Sequence, residues 1–364
     1  MHQGSADDQP AESIRNAEIV LPCAELQPTL DFFIGRLGFR LDCISPADDP
    51  RTALISGHGL RIALRRGDPG PPVTLRLLYD DPLALGQGAG ELRAPNGTRI
   101  ELAERSPALV IPPGRQELVV SRATGASWVS GRAGMRYRDL IPGRLGGRFI
   151  ASLIQIREGG PVADHVHFHN VRFQMIYCAK GWVRVVYKDQ GPPFVLAAGD
   201  CVLQPPRIHH RVLESSAELE VVEVTCPAEH DTFLDHELEL PTDIVRPDRD
   251  FGGQRFVRHV ATAASLQAQR SGCRDLGLAE ATAGLASARV VLAAGAASLA
   301  QAWRHDGEFL FVYLLAGSLV LQGAAPEQMR LDRGDSLVVP AGADCVLASH
   351  SDDLELLELR LPGA

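Results

Sequence analysis

The sequence predicts a mainly β protein, with two β-barrels in its C-terminal two-thirds preceded by a smaller α+β domain. Three observations carry this. From residue 117 onward, short apolar runs such as ELVVS, MRYRDLI and RFIASLIQI are separated by glycine turns, the punctuation of a barrel or sandwich. The stretch GGPVADHVHFHNVRFQMIYCAKG at 159–181 places His165, His167 and His169 two residues apart, and GDCVLQPPRIHHRV follows it at 199–212. The pattern then repeats: YCAKGWVRVVY at 177–187 returns as YLLAGSLVLQG at 313–323, 136 residues on, and GDCVLQPPRIHHRVLES at 199–215 returns as GDSLVVPAGADCVLASH at 334–350, 135 residues on.

Bulk properties narrow the function classes. A chain of 364 residues suggests two or three domains, and a net charge of −9 argues against general binding to nucleic acid or anionic membranes. No apolar run reaches the roughly 18–20 residues of a membrane span. Seven cysteines lie scattered without a CxxC pair, which reads as reduced thiols and a cytoplasmic location. The polar, acidic residues 1–14 read as a disordered tail and not as a secretory signal.

Residues 15–105 form the expected α+β domain. AEIVLPC reads as a strand. In LQPTLDFFIGRLGF, Leu30, Phe33, Ile34 and Leu37 fall on one helical stripe. RLDCIS, TALISG and LRIALRR follow as three strands, giving the order βαβββ. VTLRLLYDDP, a compressed glycine-rich stretch and RAPNGTRIELAE suggest a second, shortened module. Gly86–Gly90 is not expected to be a dinucleotide loop, since no helix follows it. The proline-containing stretch 106–118 reads as a linker opening the first barrel segment, 106–228. Residues 229–253 read as a polar connector, and 254–364 as the second barrel.

The chemistry is expected in the first barrel. Along a strand, positions i, i+2 and i+4 face one way, so His165, His167 and His169 would share a face. His167, His169 and Gln174 come from one hairpin and His210 from another strand, so the four can converge on one divalent metal ion. Alternation then turns His209 away from His210. His165 either lines the pocket or stands at its rim. Arg172 shares strand parity with Gln174 and either pairs an anionic substrate or is a rim arginine. Phe173 and Tyr177 have the opposite parity and should pack outside the barrel.

The two motifs resemble those of the cupin superfamily. One reads His167-x-His169, four residues, Gln174, six residues, Gly181. The other reads Gly199, five residues, Pro205-Pro206-Arg207, two residues, His210. The chain departs from the family pattern at Gln174, where a glutamate is usual, and at Arg207, where a glycine is usual. The repeat makes it similar to bicupins. Carried across it, Trp303 stands against His167, His305 against His169, Leu310 against Gln174 and Cys345 against His210, which implies a second barrel with an emptied site. The βαβββ domain resembles one module of the glyoxalase-like, vicinal-oxygen-chelate fold. Glu101 holds a metal-ligand position of that family, but Glu18 and Val73 bring no histidine, so this domain is expected to be metal-free.

The resemblance implies one divalent metal (Fe, Ni, Zn or Mn) and leaves the reaction open, because one fold hosts many chemistries. Three imidazoles and an amide leave the full 2+ charge to attract a small anionic ligand. An Fe(II)-type dioxygenase is the leading expectation. The alternatives are a non-redox isomerase, lyase or hydrolase acting on keto or sugar acids, and a non-catalytic metal-bound binding protein. Open sheet edges favour a homodimer.

Overall fold

A computed structural model describes residues 14–68, 70–80, 92–261, 269, 271–299, 303–323 and 328–363. Most of the expected tail and the glycine-rich stretch at 86–90 lie outside these residues. The chain divides into two compact units, Met1–Ala108 and Leu109–Ala364.

The first unit has the expected βαβββ order: Ile19–Cys23, the helix Leu26–Gly35, Arg40–Ser45, Thr52–Gly57 and Leu60–Arg66. Ile19–Cys23 pairs in parallel with Leu60–Arg66, which the intervening helix permits. That helix buries Leu26, Leu30 and Phe33 against Ile55, Ile62 and Leu64, and so closes one side of the sheet. A separate three-stranded sheet joins Thr74–Tyr79, Arg99–Glu104 and Leu92–Arg93. Glu101 forms an ion pair with Arg76 at 3.0 Å.

The second unit contains both barrels. In the first, a seven-stranded sheet runs Val257–His259, Cys201–Leu203, Phe173–Lys180, Leu219–Cys226, Ile150–Ile156, Arg136–Asp139, Val129–Ser130. It faces a sheet ordered Phe194–Ala197, Trp182–Tyr187, His210–Ser215, His167–His169, Thr232–Leu234. The second barrel sets the sheet Cys273–Asp275, Ser287–Leu292, Glu355–Leu361, Phe309–Ala316, Ser336–Val338, Val119–Ser121 against Met329–Asp332, Ser318–Gln322 and Val346–His350. The architecture is mainly β, as predicted.

Two features cross the boundaries read from the sequence. Val119–Ser121 lies in the segment expected to build the first barrel, yet pairs with Ser336–Val338 of the second. Val257–His259 lies in the second segment, yet pairs with Cys201–Leu203 of the first. The exchange covers one otherwise open edge in each barrel. The expected connector also contributes a strand, since Thr232–Leu234 pairs with His167–His169 itself.

Alternation along Phe173–Lys180 sorts the cores. Phe173, Met175 and Tyr177 enter an apolar core shared by the two barrels, where Phe149 and Phe309 stack at 4.0 Å. Cys178 faces the interior of the first barrel, with Val183, Val185 and Leu196. Each fully buried side chain of this kind contributes about 1.5–3 kcal/mol. The shared core thus couples the packing of the two barrels.

Both motif glycines are forced by backbone geometry. Gly181 has φ +76°, and a Cβ there would collide with Ser216 Oγ; Gly199 has φ +93°. Arg207 takes the same left-handed conformation, φ 62°, at the position where the motif expects glycine. Its N–H donates to His169 O at 2.9 Å, and its guanidinium lies 5.6 Å from the Phe168 ring centre. The turn therefore survives the Gly-to-Arg departure.

Candidate metal centre

Three strand ends carry three histidines to one point. His167 and His169 stand at alternate positions of one three-residue strand, and His210 opens the neighbouring strand, directly opposite His167 in the register. All three are buried, and one ring nitrogen from each lies within 4.8 Å of the others. The His167 and His210 ring centres are 4.2 Å apart.

The outer nitrogens are held by neighbours. His167 Nδ1 bonds to His165 O at 2.8 Å, and His210 Nδ1 to Ile208 O at 3.0 Å. A backbone carbonyl only accepts, so in both rings Nδ1 carries the proton and Nε2 keeps its lone pair. His169 Nδ1 meets Thr232 Oγ1 at 3.2 Å. Partners of this kind orient metal-binding imidazoles and fix their tautomers.

The rings stay neutral. Burial, followed by the charge of Arg132, lowers the pKa of His167. Burial, followed by the neighbouring His167, brings His169 down to about 3. Burial, followed by His167 and His169, holds His210 well below the usual imidazole value. Neutral imidazoles with free lone pairs are what a divalent transition metal needs. The residues present fit such an ion.

Arg132 was not foreseen. Its Nη2 donates to His167 Nε2 at 2.7 Å, the lone pair a metal would use, and its Nη1 pairs with Asp164. Asp164 is buried and also accepts the Val212 N–H at 3.0 Å.

The triad opens on a cavity of about 80 Å³ inside the barrel. That is room for about three waters or one very small organic molecule. Most of its wall is aliphatic, from residues such as Ile154, Ile176, Val185 and Val221, but Arg132, Gln204 and Glu223 also line it. Both amide atoms of Gln204 are buried without a hydrogen-bond partner. Burial raises the Glu223 carboxyl to about 7, against an opposing pull from Arg132.

The other expected residues divide. Gln174 is buried and shares strand parity with Ile176, so it faces the barrel interior, but the amide lining the cavity is Gln204. His165 is exposed and does not line the cavity, and its ring lies 5.4 Å from that of His236. Arg172 is not at the cavity: its Nη1 bonds both carboxylate oxygens of Glu308, at 2.8 and 2.9 Å. It precedes the strand whose parity was extended to it, and the carboxylate of the other barrel captures it. His209 turns away from His210, as expected, and its Nε2 lies 3.3 Å from Asp235 Oδ2.

In the second barrel, Trp303, Leu310 and Cys345 are buried in one apolar cluster. Trp303 Nε1 donates to Glu358 Oε2 at 3.0 Å, and His305 Nε2 bonds Val339 O at 2.8 Å. Among the described residues, His167, His169 and His210 form the one group of three or more His, Cys, Asp or Glu side chains placed to share a metal ion.

No family model matches the chain. No curated protein matches it either. Among solved structures it is similar to a mutant of Bacillus subtilis oxalate decarboxylase, at 13% identity, covering 69% of this chain and 78% of that one, with a TM-score of 0.45. It is also similar to protein Ylba from E. coli, at 13% identity, covering 70% and 94%, with a TM-score of 0.49. At these values neither protein's reaction carries over, and the fold rests on the strand order and register above. No helix among the described residues is long and apolar enough to cross a membrane.

Proposed function

We propose that this protein is a metal-dependent enzyme of the cupin type acting on a small anionic organic molecule, with Fe(II)-type dioxygenation as the leading reaction. One observation carries the reading: three buried, neutral imidazoles, each anchored through Nδ1, converge on a mostly aliphatic cavity that also holds Arg132. His167, His169 and His210 would hold one divalent ion (Fe, Ni, Zn or Mn), with Gln174 as the fourth donor. The bound ion supplies Lewis acidity and, if it is iron, access to oxygen chemistry.

Arg132 must release His167 Nε2 when that histidine takes a metal. It keeps Asp164, and its remaining N–H groups are then available to an anionic ligand. The cavity walls exclude water from the rest of the ligand. A non-redox isomerase, lyase or hydrolase is the second reading, and the carboxyl of Glu223 in the same cavity favours it, because such reactions move protons. The vicinal-oxygen-chelate reading of the first unit is supported by its βαβββ order. A homodimer belongs to the same proposal; light scattering that returns a monomer at micromolar concentration would contradict it.

The test is to load the protein separately with Fe(II) and with Zn(II) and to screen small carboxylates, enolates and phenolates. Oxygen uptake with the Fe(II) form alone supports the dioxygenase. Turnover without oxygen, in either form, supports the second reading, and tight binding without turnover would make it a binding protein. Gln174→Glu should weaken binding of a small dicarboxylate to the metal-loaded protein at least tenfold. One charge at short range in a partly dry pocket is worth on the order of a few kcal/mol. Equal or tighter binding would remove Gln174 from the metal.

A further inference from the structure

The geometry points to Glu223 as the residue that carries a proton to and from the ligand in the metal cavity. This rests on the reading of the triad as a metal centre and adds a residue that the motifs do not contain.

The position is inward-facing. Along Leu219–Cys226, Val222, Val224 and Cys226 enter the core between the barrels, while Leu219, Val221 and Glu223 face the first barrel's interior. Glu223 sits opposite Ser152 on one neighbouring strand and Ile176 on the other. It lines the same cavity as His167, His169 and His210. Its cross-strand neighbour Ile176 and its strand neighbour Val221 on the same face are aliphatic, so the carboxyl is not placed there by packing.

The charged and titratable groups facing this carboxyl have other partners or stay neutral. Arg132 is held by Asp164 and His167. Burial raises the pKa of the Tyr137 and Tyr187 hydroxyls, and Glu223 adds to the rise in both. The three histidines are neutral. No ion pair to Glu223 within 4 Å occurs among the described residues. An unpaired carboxyl among aliphatic side chains keeps its proton, and burial brings this one to about 7, near the working range of a general acid or base.

In that role the carboxyl O–H bond breaks and the proton passes to a basic atom of the ligand. Glu223 is left as a carboxylate, reprotonated from solvent or by a later step. Gln204 lines the same cavity with both amide atoms free, so it can hold a carbonyl or hydroxyl of the ligand while the proton moves. The substrate class this fits is a small oxo- or hydroxy-acid, with its anionic group at the metal and Arg132.

The test uses Zn(II), which has no redox chemistry, and acetate as the anionic probe, with wild type and Glu223→Gln compared between pH 5.5 and 8.5. Zinc stoichiometry should be the same in both proteins. By calorimetry, acetate affinity of the wild type should fall about tenfold across the upper half of this range, as Glu223 ionises and repels the anion. In Glu223→Gln it should fall clearly less, because there only ionisation of the zinc-bound water weakens anion binding. By infrared spectroscopy of the metal-free protein, a protonated-carboxyl band should be present at pH 5.5, absent at pH 8.5 and absent at both in the variant. The same pH dependence in both proteins, or no such band in the wild type, overturns the assignment of Glu223 and leaves the metal centre standing. Failure of the wild type to bind zinc overturns the metal centre itself, and the role of Glu223 with it.

Discussion

His167→Ala is expected to abolish stoichiometric metal binding while the barrel stays folded. The substitution removes one of three converging Nε2 donors, and loss of even an outer partner of a metal-bound histidine typically costs 10–100-fold in affinity, so loss of the ligand should cost more than roughly 100-fold. The fold should survive. His167 shares its strand with His169 and pairs through its backbone with both flanking strands, and alanine preserves that ladder. Arg132 would lose its bond to Nε2 but keep Asp164. The cost in stability of the apo protein should be of the usual order for a buried substitution, about 1–3 kcal/mol. Equilibrium dialysis against Zn(II), with far-UV circular dichroism as the check on folding, measures both. A folded variant that holds metal as tightly as the wild type would remove His167 from the centre.

Trp303→Ala should have the largest effect on stability. Trp303 is fully buried at the heart of the second barrel, in the place that the internal repeat assigns to His167. Truncating a buried tryptophan leaves a large void, and such changes cost about 3–5 kcal/mol. The indole N–H also donates to Glu358, which is buried and paired with Arg289 at 2.7 Å and Arg360 at 2.9 Å. Losing that donor adds to the cost. Because the barrels share a core around Phe149 and Phe309, the destabilisation should appear as one cooperative shift in a urea titration. A change below about 1 kcal/mol would mean that the second barrel's interior is not packed as described.

What was legible in the sequence was what a local pattern encodes. The HxH strand announces its own geometry, because two histidines two apart must share a face. The glycines at 181 and 199 mark turns that only a left-handed backbone makes, and Arg207 shows that the turn outlasts the loss of its glycine. The repeat placed Trp303, Leu310 and Cys345 inside the second barrel, since Phe309–Ala316 pairs with Ser336–Val338 in the register that Phe173–Lys180 keeps with Cys201–Leu203.

Other features depend on distance. Arg132 reaches His167 from 35 residues away along the chain, out of an irregular segment with no periodicity. Glu223 was hidden because both faces of its strand are buried, one in each core, so alternation could not say which face held the site. Arg172 shows the converse error: parity assigned it a direction, but Glu308, 136 residues on, decided its partner. The exchanged strands Val119–Ser121 and Val257–His259 are three residues long, too short for their sequences to specify a barrel.

The central claim is that one divalent ion sits among His167, His169 and His210. The most direct measurement is metal-edge X-ray absorption on protein purified from metal-supplemented growth, with metal per chain determined in parallel. One ion per chain with a nitrogen and oxygen shell dominated by imidazole is the expected result, together with loss of that signal in His167→Ala. A metal-free wild type, or sulfur ligands from the scattered cysteines in place of imidazoles, would contradict it.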